Sequence, residues 1–209
     1  MKAVDYFPPD RSDQISLRWI RSLDRKRKWE TGWGKTALLV LDMQRFFTDP
    51  LSSGYLPASG TVIERINGLI RKFEGPVFFT RHWNDPRDFH NLMSLWWRGT
   101  INGEMGEIDP SLDSGELRII DKSHYSAFEG TILQESLRQS NVDTVIISGV
   151  MTDLCCETTA RDAFMKGFKV LFLADCTATE TEERHLSTLR IISRAFGEVL
   201  TSKELMSRL

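Results

Sequence analysis

Six short apolar runs recur along this chain, and none shows the strict polar–apolar alternation of a strand with one wet face. They are 36–41, 76–80, 117–120, 144–148, 169–174 and 198–201. A strand that is apolar throughout is buried on both faces, which is the condition of a parallel sheet covered by helices. Helical spacing fills the gaps. Ile63, Ile66, Leu69, Ile70 and Phe73 mark a helix over 62–73, and others are predicted over 129–139, 155–166 and 180–196. Alternation of this kind predicts a three-layer α/β/α sandwich, Rossmann-like, around a six-stranded and mostly parallel sheet with right-handed crossovers. In such sheets ligands bind beyond the carboxyl ends of the strands.

The first 35 residues stand outside that alternation. Residues 16–28 predict a short helix with Leu17, Ile20 and Leu23 on one side, and Gly32-Trp33-Gly34 breaks the chain. Residues 1–35 therefore read as an N-terminal arm on a domain spanning 36–209. Tyr6, Phe7 and Trp19 in the arm offer apolar surface to a second subunit, so a homodimer or homotetramer is expected. Arg25-Lys26-Arg27-Lys28 reads as a solvated helix end, because a net charge of -2 gives no global attraction to nucleic acid or to a membrane surface. No apolar run approaches the roughly 20 residues needed to span a bilayer. The start of the chain lacks the apolar core of a signal peptide. Three cysteines, two of them adjacent, make a poor disulfide framework, so a reducing cytoplasm is the expected location. Neither a GxGxxG turn nor a GxxxxGK[ST] loop occurs, so no nucleotide cofactor is expected.

Three polar residues follow apolar runs closely enough to meet at one sheet edge. Asp42 ends the first run, Lys122 follows the third, and Cys155 comes after the Gly149 turn that closes the fourth. Cys155 is expected to open a helix, where free N–H groups and partial positive charge favour a thiolate. A carboxylate tuned by partial burial can shuttle a proton, and a nearby ammonium stabilises both anions. Read singly, each residue has an ordinary alternative: a cap, a surface lysine, a small buried hydrophobe. Cys156 and Cys176 read as structural, His124 as solvent-facing, and His185 as one more residue of a polar helix.

These segments resemble the isochorismatase-like cysteine hydrolases, a family that includes nicotinamidases and N-carbamoylsarcosine amidases. Leu41-Asp-Met-Gln44 with Phe46-Phe47 is similar to the family's D-x-Q-x-x-F segment. Residues 121–128, Asp-Lys-Ser-His-Tyr-Ser-Ala-Phe, are similar to its K-x-x-x-S-x-F segment. Gly149-Val-Met-Thr-Asp-Leu-Cys155 with Thr159-Ala-Arg-Asp-Ala163 is similar to its G-V-x-T-x-x-C…T-A-x-D-A segment. The resemblance covers about residues 36–205 and implies a catalytic trio of Asp42, Lys122 and Cys155. It further implies a cis peptide between Val150 and Met151, and an oxyanion hole made by the N–H groups of Met151 and Cys155. Gln44, Phe47, Trp83, Tyr125, Phe128 and Thr152 are the side chains expected around the substrate.

Which branch of the family is a matter of substitutions. The metal-binding Asp and two His of nicotinamidases correspond here to His82, Asn84 and Gly99, so no metal is expected and nicotinamide is disfavoured. His82 and His90, separated by Asp85-Pro86, have no fixed geometry to replace that set. True isochorismatases typically carry Gly where this chain has Cys155, and a thiol serves no purpose in protonating a vinyl ether. Isochorismate also needs cations for two carboxylates; Arg45, Arg81, Arg87, Arg98 and Arg161 are the candidates. The expectation is hydrolysis of an amide or carbamoyl C–N bond in a small molecule. A vinyl-ether hydrolase using Asp42 as general acid, and a binding protein without catalysis, are the alternatives. Clustered Trp83, Phe89, Trp96 and Trp97 point to a small, partly apolar substrate if they form a pocket wall.

Overall fold

The structure, a computed structural model, describes residues 3–25, 28–30, 35–84, 92–97, 101, 103–113, 115 and 118–208. Lys26, Arg27, the Gly32-Trp33-Gly34 break, Asp85, Pro86, Arg87, Phe89, His90, Arg98, Gly99 and Leu117 lie outside the described residues.

The apolar runs become six strands: β1 Thr36–Leu41, β2 Val77–His82, β3 Ile119–Lys122, β4 Thr144–Val150, β5 Lys169–Ala178 and β6 Glu198–Leu200. They form one sheet in the order β3-β2-β1-β4-β5-β6, and every pairing is parallel. β1 and β4 are buried at every position, as their unbroken apolar sequences require. Helices α3 (Ser59–Ile70), α5 (Leu133–Gln139), α6 (Glu157–Met165) and α7 (Glu182–Ala195) connect the strands and cover the sheet. The short helices α2 (Arg45–Thr48), α4 (Leu92–Trp96) and α8 (Ser202–Met206) complete the helices that follow β1. Sequence order runs outward in opposite directions from β1 and β4, so a crevice opens where those two central strands end.

Two boundaries differ from the sequence expectation for physical reasons. α3 begins at Ser59, ahead of its apolar periodicity, because its first turn buries polar groups: Ser59 and Thr61 are in the interior and Thr61 Oγ1 donates to Phe7 O at 2.8 Å. β5 runs on to Ala178 through a buried Asp175, whose carboxylate accepts bonds from Ser202 N and Ser202 Oγ, both at 2.7 Å.

The arm belongs to the same core. Pro9 opens a 3₁₀ turn, Pro9–Arg11, that leads directly into α1 (Ser12–Arg21), which explains why this helix starts earlier than Ser16. Phe7 and Trp19 are enclosed within their own chain and pack with tilted rings at a 4.8 Å centroid distance. Those aromatics are therefore not available to a second subunit, contrary to the sequence expectation. Among the described residues no helix is long and apolar enough to cross a membrane.

Candidate active site

Asp42 is the first residue past β1 and takes a left-handed backbone conformation, φ 50°. Asp tolerates that region better than most side chains. The turn is held by its N–H, which donates to Thr80 O (3.2 Å), and by Thr80 Oγ1, which donates to Asp42 Oδ1 at 2.6 Å. Beside it, β4 comes so close to β1 that a Cβ on Gly149 would sit 2.0 Å from Leu41 O; Gly149 also has φ +105°. Only glycine meets both demands. Beyond Gly149 the Val150–Met151 peptide is cis.

Lys122 ends β3, in register with His82 of β2. Its ammonium reaches across β2 to lie 2.7 Å from Asp42 Oδ2, donates to Cys155 Sγ at 3.4 Å and to His124 O at 3.0 Å. The Lys122 and Asp42 side chains are 0% and 1% exposed, so this ion pair is dry. The sheet thus brings together the three residues that the sequence placed at strand ends.

The state of the thiol differs from the sequence expectation. Cys155 lies in a π-helical turn, Thr152–Cys156, and α6 starts only at Glu157. Two N–H groups of that turn, on Leu154 and Cys156, are bonded inward to Met151 O at 3.1 Å. Burial and then the Asp42 carboxylate push the Cys155 thiol well above its ordinary range, outweighing the opposing pull of Lys122. Burial likewise acts to raise Asp42, but Lys122, His82 and the Cys155 thiol together hold it below the usual carboxylate range. Lys122 is raised: burial opposes its charge, and Asp42 and Cys155 more than offset that. The cluster therefore rests as carboxylate, ammonium and neutral thiol, with zero net charge. Ionising the sulfur without protonating Asp42 would leave a net anion in a dry site, which is costly.

Cys155, Asp42, His82 and Met151 face a narrow pocket with about 50 Å³ open to the centre of a water molecule. Phe46 and Phe47 of α2, Met93 and Trp97 at α4, Ile101, Tyr125 and Leu154 make the rest of its wall almost wholly apolar. Trp97 Nε1–H donates to Tyr125 Oη at 2.8 Å and joins two sides of the opening. Phe47 and Tyr125 are the two expected pocket residues that line this wall.

The other four expected pocket residues are engaged elsewhere. Gln44 is fully buried, and its amide donates to His82 O (3.0 Å) and Gly106 O (2.7 Å) while accepting from His82 N (2.9 Å). It braces the ends of β1 and β2. Trp83 lies on Gly106, where a Cβ would come within 2.6 Å of its ring, and its Nε1–H donates to Asp121 Oδ1 at 3.1 Å. Phe128 stacks on Phe168 in the core, at a centroid distance of 5.8 Å. Thr152 Oγ1 is 2.9 Å from Nδ1 of the buried His185. Sequence reasoning missed Thr80, Met93 and the pocket position of His82; only His82, at a strand end beside Lys122, carried a signal that could have found it.

The described candidate arginines all point away. Arg45 pairs with Asp49 and Glu104, Arg81 with Glu107 and Asp121, and Arg161 with Glu157. Of the nicotinamidase-type metal positions, His82 and Asn84 are described, and they bond to each other. His82 Nε2 is bonded to Asn84 Oδ1 at 2.9 Å, and among the described residues no three His, Cys, Asp or Glu converge on one point.

The parallel six-stranded sheet between helix layers, with a dry acid–ammonium–thiol cluster beside a small pocket in its switch-point crevice, defines the class, a hydrolase on a three-layer α/β/α sandwich. More narrowly, the chain belongs to the isochorismatase family: the Isochorismatase domain model matches residues 36–204. Nicotinamidase 3 of Arabidopsis thaliana is 42% identical over 167 residues, covering 77% of this chain and 81% of that protein. Maleamate amidohydrolase of Pseudomonas putida is 28% identical, covering 85% and 89%. A crystal structure of a cysteine hydrolase from Pseudomonas syringae pv. phaseolicola superposes with a TM-score of 0.78 at 28% identity, covering 87% and 95%.

Proposed function

We propose that this isochorismatase-family hydrolase is a cysteine-dependent amidohydrolase that cleaves a C–N bond of a small, uncharged amide or carbamoyl compound. One observation carries the reading: Lys122 Nζ lies 2.7 Å from Asp42 Oδ2 and 3.4 Å from Cys155 Sγ, and both partners border the same pocket. The proton of the Cys155 thiol passes to Asp42 as sulfur attacks the carbonyl carbon. Net charge in the dry cluster is conserved, and Lys122 stays within reach of whichever neighbour is anionic. The N–H groups of Met151 and Cys155 meet the developing oxyanion. Asp42 then protonates the amine nitrogen, the C–N bond breaks, and a thioester remains. Water, losing a proton to Asp42, attacks that thioester, and the proton returns to sulfur as the acid leaves.

The amide chemistry named for the Arabidopsis and Pseudomonas putida relatives supports this reading. Isochorismate is a poor match, because among the described residues no Arg or Lys borders the pocket to meet two carboxylates. Nicotinamide returns as a candidate through the 42% identical relative, although the substitutions at the metal positions argue against it. The test is an ammonia-release screen over primary amides, nicotinamide included, together with ureido and carbamoyl compounds. Release by the wild-type chain that is abolished in Cys155→Ala is the expected result. Undiminished release by Cys155→Ala overturns the nucleophile.

A further inference from the structure

Phe46 of α2 is half-buried and lines the pocket, and the back of its ring lies on Gly54. A Cβ on Gly54 would sit 2.1 Å from Phe46 Cε1 and 2.6 Å from Cζ, well inside van der Waals contact. The backbone is not what demands glycine here, because the φ of Gly54 is not left-handed. Only the ring forbids a side chain. The turn that carries Gly54 is tied down on both sides of it. Ser52 N–H donates to Asp49 O at 2.9 Å, Gly54 N–H to Ser52 Oγ at 3.2 Å, and the N–H of the buried Leu56 to Phe47 O at 2.9 Å. Phe47 meets the Phe46 ring edge-on at a 5.1 Å centroid distance and closes a second side. No residue of 49–56 lines the pocket, so the ring stands between the turn and the open space. A ring pushed off the turn therefore moves into the pocket.

We propose that Gly54 is a positioning residue that sets substrate size: carrying no side chain, it lets the Phe46 ring lie back and keeps the pocket open to a ring-bearing acyl group. The inference rests on the amidohydrolase reading of the same pocket. Gly54 itself touches no substrate and acts only through Phe46. The wall is apolar, so the groups it sorts are hydrocarbon ones, a phenyl ring against a methyl or ethyl chain. With only about 50 Å³ open to the centre of a water molecule, a ring displaced by one methyl group shuts out a second ring and still admits a short chain.

The test reads access to the Cys155 sulfur in the full chain and needs no turnover. Methylmercury chloride and phenylmercury chloride both react with neutral thiols: the Hg–Cl bond breaks, an Hg–S bond forms, and the thiol proton leaves with chloride. Cys155 borders the pocket, whereas Cys156 and Cys176 are 0% exposed; subtracting the rate of the matching Cys155→Ala protein removes any contribution from them. Both reagents are expected to label the wild type. In Gly54→Ala the methyl-to-phenyl rate ratio is expected to rise by about 10-fold or more. In Phe46→Ala the ratio falls below that of the wild type, and adding Gly54→Ala there changes it by less than about twofold. Three results each overturn the proposal: a wild type closed to phenylmercury, a Gly54→Ala ratio within about twofold of wild type, or a rise that persists without the Phe46 ring. Should Gly54→Ala alone fail to fold, the Phe46→Ala background decides. A ratio that Phe46→Ala leaves unchanged, or a double variant that also fails to fold, overturns the proposal. Ammonia release reports the chemistry separately, so a pocket that sorts mercurials by size yet releases no ammonia counts against the amidohydrolase reading alone.

Discussion

At the scale of single residues, Asp42 and Lys122 act on the thiol in opposite directions, which gives an unusual signature. Asp42 raises the Cys155 thiol and Lys122 lowers it. Asp42→Asn removes the carboxylate, leaving a thiolate–ammonium pair as the neutral state of the cluster. Alkylation of Cys155 by iodoacetamide at pH 7 is therefore expected to speed up in Asp42→Asn, while amide turnover falls by about 10²–10⁴-fold. Unchanged or slower alkylation would show that the carboxylate does not hold the thiol neutral. Lys122→Met leaves Asp42 buried beside a neutral thiol, and a urea melt is expected to show a loss of about 3–5 kcal/mol. The three polar residues were legible because each follows an apolar run, Asp42 at once, Lys122 just past Asp121 and Cys155 beyond the Gly149 turn. The charge state was not. It depends on the helix starting at Glu157 instead of Cys155, and on how dry the crevice is. Which side chains wall the pocket was legible only in part: Phe47 and Tyr125 line it, but Gln44 and Thr152 find buried partners, Gly106 and His185, that are distant in sequence.

At the scale of elements, the site depends on two strand ends touching. The ladder of β4 with β5 shifts register between Ile147 and Gly149, and Gly149 is the residue paired with Leu41 at the end of β1. Gly149→Ala would place a methyl 2.0 Å from a backbone oxygen at a φ that L-residues rarely adopt, so β4 and β1 must part. The expected cost is about 1–3 kcal/mol for the backbone strain alone. Turnover is expected to fall with it, since the end of β1 carries Asp42. Thermal melting and ammonia release on the same preparation check this; a variant of native stability and activity would show that the close approach is dispensable. The two central strands were easy to read in this chain because burial on both faces leaves β1 and β4 without a charged residue to blur them. Short helices were not. Residues 92–96 are too few to show a period, although Met93 and Trp97 line the pocket from there.

At the scale of the whole molecule, the arm, α7 and the nucleophile turn form one body around a histidine that the sequence made look ordinary. His185 lies 4.5 Å from Trp19 and 5.9 Å from Tyr6, ring to ring, with Nδ1 on Thr152. Tyr6 Oη accepts from Thr179 N–H at 3.0 Å, and Val4 N–H donates to Glu180 O at 3.0 Å. Trp19 Nε1–H donates to Glu182 at 2.6 Å, and Arg18 also pairs with Glu182. Most of its neighbours on α7 are polar, so little in the local sequence announces that an arm more than 150 residues away in sequence covers this one position. Burial holds the His185 pKa down to about 3 from an ordinary 6.5. Between those values the unfolded chain binds a proton that the folded chain refuses, so stability falls as pH falls through this window. The limiting slope for one such group is about 1.4 kcal/mol per pH unit. His185→Gln keeps a polar partner for Thr152 without a titrating ring. The difference in unfolding free energy between wild type and His185→Gln, followed by urea melts from pH 7 to pH 4, is expected to shift in favour of the variant as the pH drops. Subtraction removes the contribution of Asp42, whose depressed pKa stabilises the fold above the ordinary carboxylate range and is common to both proteins. A difference independent of pH would mean that His185 takes up its proton as readily in the fold as in the unfolded chain, and the arm could not then be packed upon it as a dry aromatic lid.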